Sequence, residues 1–112
     1  QGLTNFLVRA IGPGLARFGV VGCLPDPKII LEMKVGPNHQ FETQAENDDW
    51  ESSFSNWYFE DKGAFPLPLG SKDAAVLWRT GGLYGGPSSF PIMARVEANG
   101  GSGVVLVECF LF

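Results

Sequence analysis

The sequence predicts an all-β fold, an antiparallel β-sandwich of jelly-roll or immunoglobulin-like type, built as a single domain over residues 1–112. Three observations carry this expectation. Apolar and polar residues alternate with a period of two over several short segments, as half-buried strands require. Those segments are separated by turn residues rather than by helical patterns, which is the signature of a sandwich. The chain is also rich in turn formers, with 15 Gly and 8 Pro among 112 residues, and only 18% of it is charged. That length suits one core with little to spare.

The elements follow in order. Asn5 to Ile11 reads as the first strand, and a short turn near Leu15 to Phe18 is the one helical piece expected. Lys28 to Val35 sets Ile29, Leu31, Met33 and Val35 on one face. His39 to Glu46 sets Phe41, Thr43 and Ala45 on one face, with Gln40, Glu42, Gln44 and Glu46 on the other. Gly36-Pro37-Asn38 between them predicts a hairpin. Trp50 to Lys62 resists strand assignment and reads as an aromatic-rich irregular segment, the kind that in a compact domain tends to be functional. Ala74 to Thr80 is a further strand. If Ala75 and Leu77 point inward there, Trp78 points outward with Val76, beside Arg79, although a one-residue slip reverses that. Gly81 to Ser89 is a Gly-rich loop centred on Tyr84. Phe90 to Ala98 turns Phe90, Ile92, Ala94, Val96 and Ala98 inward, and Asn99-Gly100-Gly101-Ser102-Gly103 is a strong turn signal. Val104 to Phe112, apolar on both faces except at Glu108, reads as a central strand covered on both sides.

Charge and composition exclude several functions. The net charge of -4 comes with no Lys/Arg cluster, so the footprint of a nucleic-acid binder is missing and an anionic membrane is not an expected partner. No run approaches the roughly 18 apolar residues of a membrane-spanning helix. Cys23 and Cys109 lie far apart and outside any CxxC or His-bearing cluster. They are either core residues or a disulfide closing a long loop, with no zinc or redox motif suggested. The opening Gln1-Gly2-Leu3-Thr4 lacks a charged n-region and an apolar h-region, and so reads as a processed or engineered boundary of a longer protein.

Catalysis has little to draw on. The sole histidine, His39, falls at the expected turn, and no nucleophile elbow or Walker sequence is present. Gly12-Pro13-Gly14 lacks the third glycine of a dinucleotide fingerprint, because Arg17 holds that place. The carboxylate pairs Asp48/Asp49 and Glu60/Asp61 are adjacent, and neighbours on a strand point to opposite faces. No cofactor is expected. Asn47, Asp48 and Asp49, with Glu51, form an oxygen-rich group of the type that holds a structural calcium, though their spacing matches no EF-hand loop and Asn and Asp stabilise turns unaided.

The feature with most functional content is the placement of Trp50, Trp57, Tyr58, Trp78 and Tyr84 among Asn, Ser, Gly and charged residues. Trp and Tyr join a flat apolar face to a polar tip, which suits flat, hydroxylated ligands such as sugar rings. The competing explanation is that the rings close the ends of a small core. If the rings bind, Gln44, Asn56, Arg79 or backbone groups of the glycine loops are placed to hydrogen-bond the hydroxyls. Two or three stacks of about 1 kcal/mol each, set against association costs, predict micromolar to near-millimolar affinity.

The stretches Arg9-Ala10-Ile11-Gly12-Pro13-Gly14-Leu15, Phe18-Gly19-Val20, Asp26-Pro27-Lys28, Asn47-Asp48-Asp49-Trp50, Gly63-Ala64-Phe65-Pro66-Leu67, Gly70-Ser71-Lys72-Asp73-Ala74-Ala75 and Gly103 to Glu108 resemble a β-sandwich module found in large secreted bacterial proteins. The resemblance spans nearly the whole chain. Among such modules the chain looks like carbohydrate-binding module family 81. That resemblance implies a non-catalytic, secreted, extracellular module that binds β-glucan polysaccharides and oligosaccharides and serves an attached endoglucanase catalytic domain. Trp50 lies within the shared Asn-Asp-Asp-Trp stretch, which weighs toward a structural role, and it stays among the candidate ligand contacts. Trp57, Tyr58, Trp78 and Tyr84 depart from the shared pattern and are the preferred ligand contacts. A protein-interaction or cell-surface structural module using the same aromatic patch is the alternative, and a small hydrolase a distant third.

Overall fold

The computed structural model describes residues 4–35, 40–80 and 92–112. Within them lie strands β1 (Thr4–Ile11), β2 (Lys28–Val35), β3 (Gln40–Asn47), β4 (Ala74–Thr80), β5 (Ile92–Glu97) and β6 (Leu106–Leu111). They form two three-stranded sheets, β4-β1-β6 and β3-β2-β5, and every pairing is antiparallel. The antiparallel β-sandwich that the alternation predicts is therefore the fold. β2 and β3 form the expected hairpin, while its turn and His39 lie outside the described residues. Every other connection crosses between the sheets. The Asn99–Gly103 turn, with Asn99 and Gly100 at positive φ, thus switches sheets rather than closing a hairpin.

β1 is the central strand of its sheet and is buried on both faces. Val8 and Ala10 point toward the second sheet and pack with Ile29, Leu31, Ala74 and Val76. Leu7 and Ile11 point the other way, where a third, irregular layer supplies Leu15, Trp50, Phe59, Ala64 and Leu67. That layer contains a 3-10 turn at Pro13–Phe18, another at Trp50–Ser52, and the helix α1 (Asn56–Asp61). The domain is thus a sandwich with a cap on one outer face.

Four expectations change. The central strand is β1, not the C-terminal one. Among the described residues β6 is an edge strand, with Val107 46% and Leu111 63% exposed, because β1 takes the middle place between β4 and β6. Second, Phe41 and Thr43 do not share a face with Ala45. The β2–β3 register shifts between Leu31 and Glu32, leaving Gln44 without an opposite residue, and such a bulge flips every side chain beyond it. Phe41, opposite Lys34, ends on the outer face with that lysine over its ring.

Third, Ala94 is exposed although its strand neighbours Ile92 and Val96 pack on the core between the sheets. Fourth, Trp50 to Lys62 is not irregular throughout. Ser55 caps α1 by accepting the Tyr58 N–H, and Phe54 just before the cap stacks on Phe59 at 5.5 Å, a hydrophobic staple. The helix stops at Gly63 (φ 86), where the Gly63 N–H bonds to the Glu60 C=O and the Ala64 N–H to the Phe59 C=O. That is a complete Schellman closure, which needs a residue free to adopt left-handed φ.

Two buried charges fasten the cap. Asp73 accepts hydrogen bonds from the Gly12 N–H (2.7 Å) and Gly14 N–H (3.1 Å), and from the Ser71 hydroxyl. Gly12 itself admits no side chain, since a Cβ would lie 1.9 Å from the Leu24 carbonyl oxygen. Arg9 is fully buried, with its guanidinium 4.7 Å from the ring centres of both Phe59 and Phe65. It donates to the Phe65 C=O and to Glu108, the single acid on β6, which lies directly opposite it in register. Burial lowers the Arg9 pKa, while the hydrogen bond and charge of Glu108 oppose that shift.

The cysteines are free. Cys23 packs on the cap core, whereas Cys109 sits opposite Val8 and so faces the other side of the sheet. A bridge would have to pass through the strands.

Candidate functional site

Helix α1 sets the most exposed aromatic side chain of the predicted set. Capped at both ends and stapled by Phe54 and Phe59, α1 turns Phe59 into the core and leaves Trp57 73% exposed. Tyr58 is half-buried, 5.4 Å from Phe54 between ring centres and beneath the Lys62 ammonium. Phe54 and Tyr58 thus share one corner of the cap, and Trp57 precedes Tyr58 on the same six-residue helix with fixed ends.

The remaining predicted residues go elsewhere. Trp50 has no exposed surface, and its indole N–H donates to the Ser71 hydroxyl at 3.0 Å, so no ring face is open to a ligand. Trp78 is not on an outer face. It lies opposite Phe6 in register, half-buried and 5.9 Å from that ring, on the side of the sheet that faces β2. Trp57 and Trp78 therefore flank opposite faces of the same sheet and cannot form one platform. Asn56 is committed to the backbone of Leu67, donating to its C=O at 2.8 Å and accepting its N–H at 2.7 Å. Gln44 is the bulge residue and bonds the Glu42 C=O. Arg79 is exposed and donates to Asn5. Tyr84 lies outside the described residues.

The oxygen-rich group is a turn device. Asn47 Oδ1 accepts the N–H groups of Asp49 and Ala75, and its amide donates to the Asp49 C=O and the Ser52 hydroxyl. Asp49 caps the Trp50–Ser52 turn through Glu51 N–H. Asp48 is exposed. With both polar atoms of Asn47 used twice and Asp49 capping the turn, two of the calcium candidates Asn47, Asp48 and Asp49 serve the turn itself. Among the described residues no group of three His, Cys, Asp or Glu could hold one.

A groove missed by sequence reasoning opens beside α1, where the edge strands β3 and β4 of the two sheets approach each other. It has a volume of about 290 Å³, and its lining includes Ala45, Asn47, Ser53, Phe54 and Leu77. No periodic pattern announces it, because its walls come from three separate parts of the chain. The only available signal was Phe54 itself, a large ring among serines.

No protein-family model, curated protein or solved structure matches this chain.

Proposed function

We propose that this chain is a non-catalytic module that binds β-glucan chains, such as cello-oligosaccharides, cellulose, mixed-linkage glucan or xyloglucan, and holds an attached, secreted glycoside hydrolase on its substrate. The observation that carries this reading is Trp57. It stands 73% exposed on a helix whose formation does not need it, beside Tyr58 and Phe54. An indole held out on a rigid support offers a flat apolar face at low entropic cost, the property a pyranose ring stacks on. Tethering then raises the local substrate concentration of the attached enzyme.

A second reading, a protein-interaction module, draws on a different observation. Among the described residues β6 is an open edge with Val107 and Leu111 exposed, and unpaired edges accept strands from other chains. Calorimetric titration with cellopentaose, with maltopentaose as control, separates the two. Saturable heat with cellopentaose alone supports the glucan reading. Absence of heat with both removes it and leaves the β6 edge as the surface to pursue.

A further inference from the structure

From its geometry we infer that the groove between β3 and β4 is a binding subsite for one neutral pyranose unit of a β-glucan chain, an inference that rests on the β-glucan reading above. Four features of the groove converge on that ligand.

The first is its bridged edge. Asn47 spans the gap between the two sheet edges, accepting the Ala75 N–H of β4 at 3.1 Å from its place on β3. Its amide is also bonded to Asp49 and Ser52, so it acts as a fixed strut between the edges.

The second is a set of unsatisfied backbone groups. Because the Ala75 N–H points at Asn47, the Arg9–Ala75 pair is one of the wide, non-hydrogen-bonded pairs of the β1–β4 ladder. Alternation makes Leu7–Leu77 the next such pair. The N–H and C=O of Leu77 consequently point away from β1 at the open edge, and Leu77 lines the groove. No hydrogen bond among the described residues takes them up. A donor and an acceptor on one residue match the paired hydroxyls of a sugar.

The third is the wall. Phe54 is held by its own backbone bond to the Trp50 C=O (2.9 Å) and by rings on two sides, Phe59 at 5.5 Å and Tyr58 at 5.4 Å. It is a fixed aromatic surface beside the backbone of the β4 edge, with the exposed Ser53 among the lining residues. The C–H face of a pyranose meets the Phe54 ring, and its hydroxyls meet Ser53 and the Leu77 backbone.

The fourth is size and charge. A volume of about 290 Å³ lies at the low end for ligand sites, roughly 300–1,000 Å³, and suits one ring rather than a chain. The one charged lining residue, Glu46, is already paired with Lys28 at 3.3 Å, so the groove selects a neutral ligand. Tyr58, 5.4 Å from Phe54 between ring centres, continues the aromatic surface beyond the groove.

The test pairs two variants with one direct readout on the wild-type protein. Ser53→Trp fills the groove from an exposed rim position, and Trp57→Ala removes the outer platform. The expected result is that Ser53→Trp weakens cellopentaose binding at least tenfold by calorimetry, and that the Leu77 and Ser53 amide resonances of the wild-type protein shift on titration with cellobiose. Unchanged affinity in Ser53→Trp, with a still Leu77 amide and weakened binding in Trp57→Ala, overturns the groove while leaving the glucan reading intact. No binding of any β-glucan by the wild-type protein overturns both.

Discussion

Two cores lie back to back on the β4-β1-β6 sheet, and they are built by different rules. The core between the sheets is made of small aliphatic side chains, Val8, Ala10, Ile29, Leu31, Ala74 and Val76, all delivered by strand alternation. The core under the cap holds the large rings of Trp50 and Phe59, and beside them a buried arginine and a buried aspartate. Leu7, Ile11 and Ala75 reach it from the strands, but Leu15, Trp50, Phe59, Ala64 and Leu67 come from two 3-10 turns, a short helix and an irregular segment, none of which has a period. Individual hydrogen bonds hold it instead, with Asp73 on Gly12 and Gly14, Asn47 on Ala75, and Asn56 on Leu67. The difference shows how a domain of this size gains both a stable scaffold and a shaped surface. One face of a sheet is spent on generic packing, and the other carries a cap whose shape each polar contact specifies.

The comparison can be broken most severely at Trp50. Trp50→Ala should destabilise the domain by about 3–5 kcal/mol, since it empties a fully buried site and takes away the indole N–H that the Ser71 hydroxyl accepts. A fall in the urea midpoint without loss of binding by the residual folded fraction would place Trp50 wholly in the scaffold. Asp73→Ala comes next, at about 2–3 kcal/mol, because two buried backbone N–H groups lose their acceptor. Amide exchange should then accelerate at Gly12 and Gly14 well before it does in β2.

Ile29→Val sharpens the contrast from the other side. It should cost only about 0.5–1.5 kcal/mol in the same urea experiment, as a core of aliphatic groups relaxes around a lost methylene. Ser55→Ala should cost about 1 kcal/mol by removing the α1 cap, and it should also weaken cellopentaose binding by loosening the helix that holds Trp57. Trp57→Ala is the smallest in stability, within about 0.5 kcal/mol as for exposed positions generally. If cellopentaose binding survives that substitution unchanged, the outer platform is not where the glucan lies.

Much of the scaffold was legible in the residues. Alternation in Lys28–Val35 and Ala74–Thr80, and the turn residues between segments, were enough for the strands and the sandwich, because burial of one sheet face imposes a period of two on the chain. Helix α1 was legible in principle, since Ser55, the Phe54/Phe59 staple and Gly63 mark both ends, but its six residues are too short for apolar periodicity to show. The bulge at Gln44 left no such mark, and one extra residue was enough to turn Phe41 outward.

What the sequence by itself determined is local: which segments are strands, where turns fall, and that aromatic residues stand in polar surroundings. Tertiary structure alone decided which strand is central, which tryptophan is buried, and which residues meet. Trp50 and Trp57 are equally polar in their neighbours, yet one is sealed in the cap core and the other stands in water, because that difference depends on which way each ring points within the cap. Asn47 and Ala75 are 28 residues apart, and only their pairing across two sheet edges creates the groove.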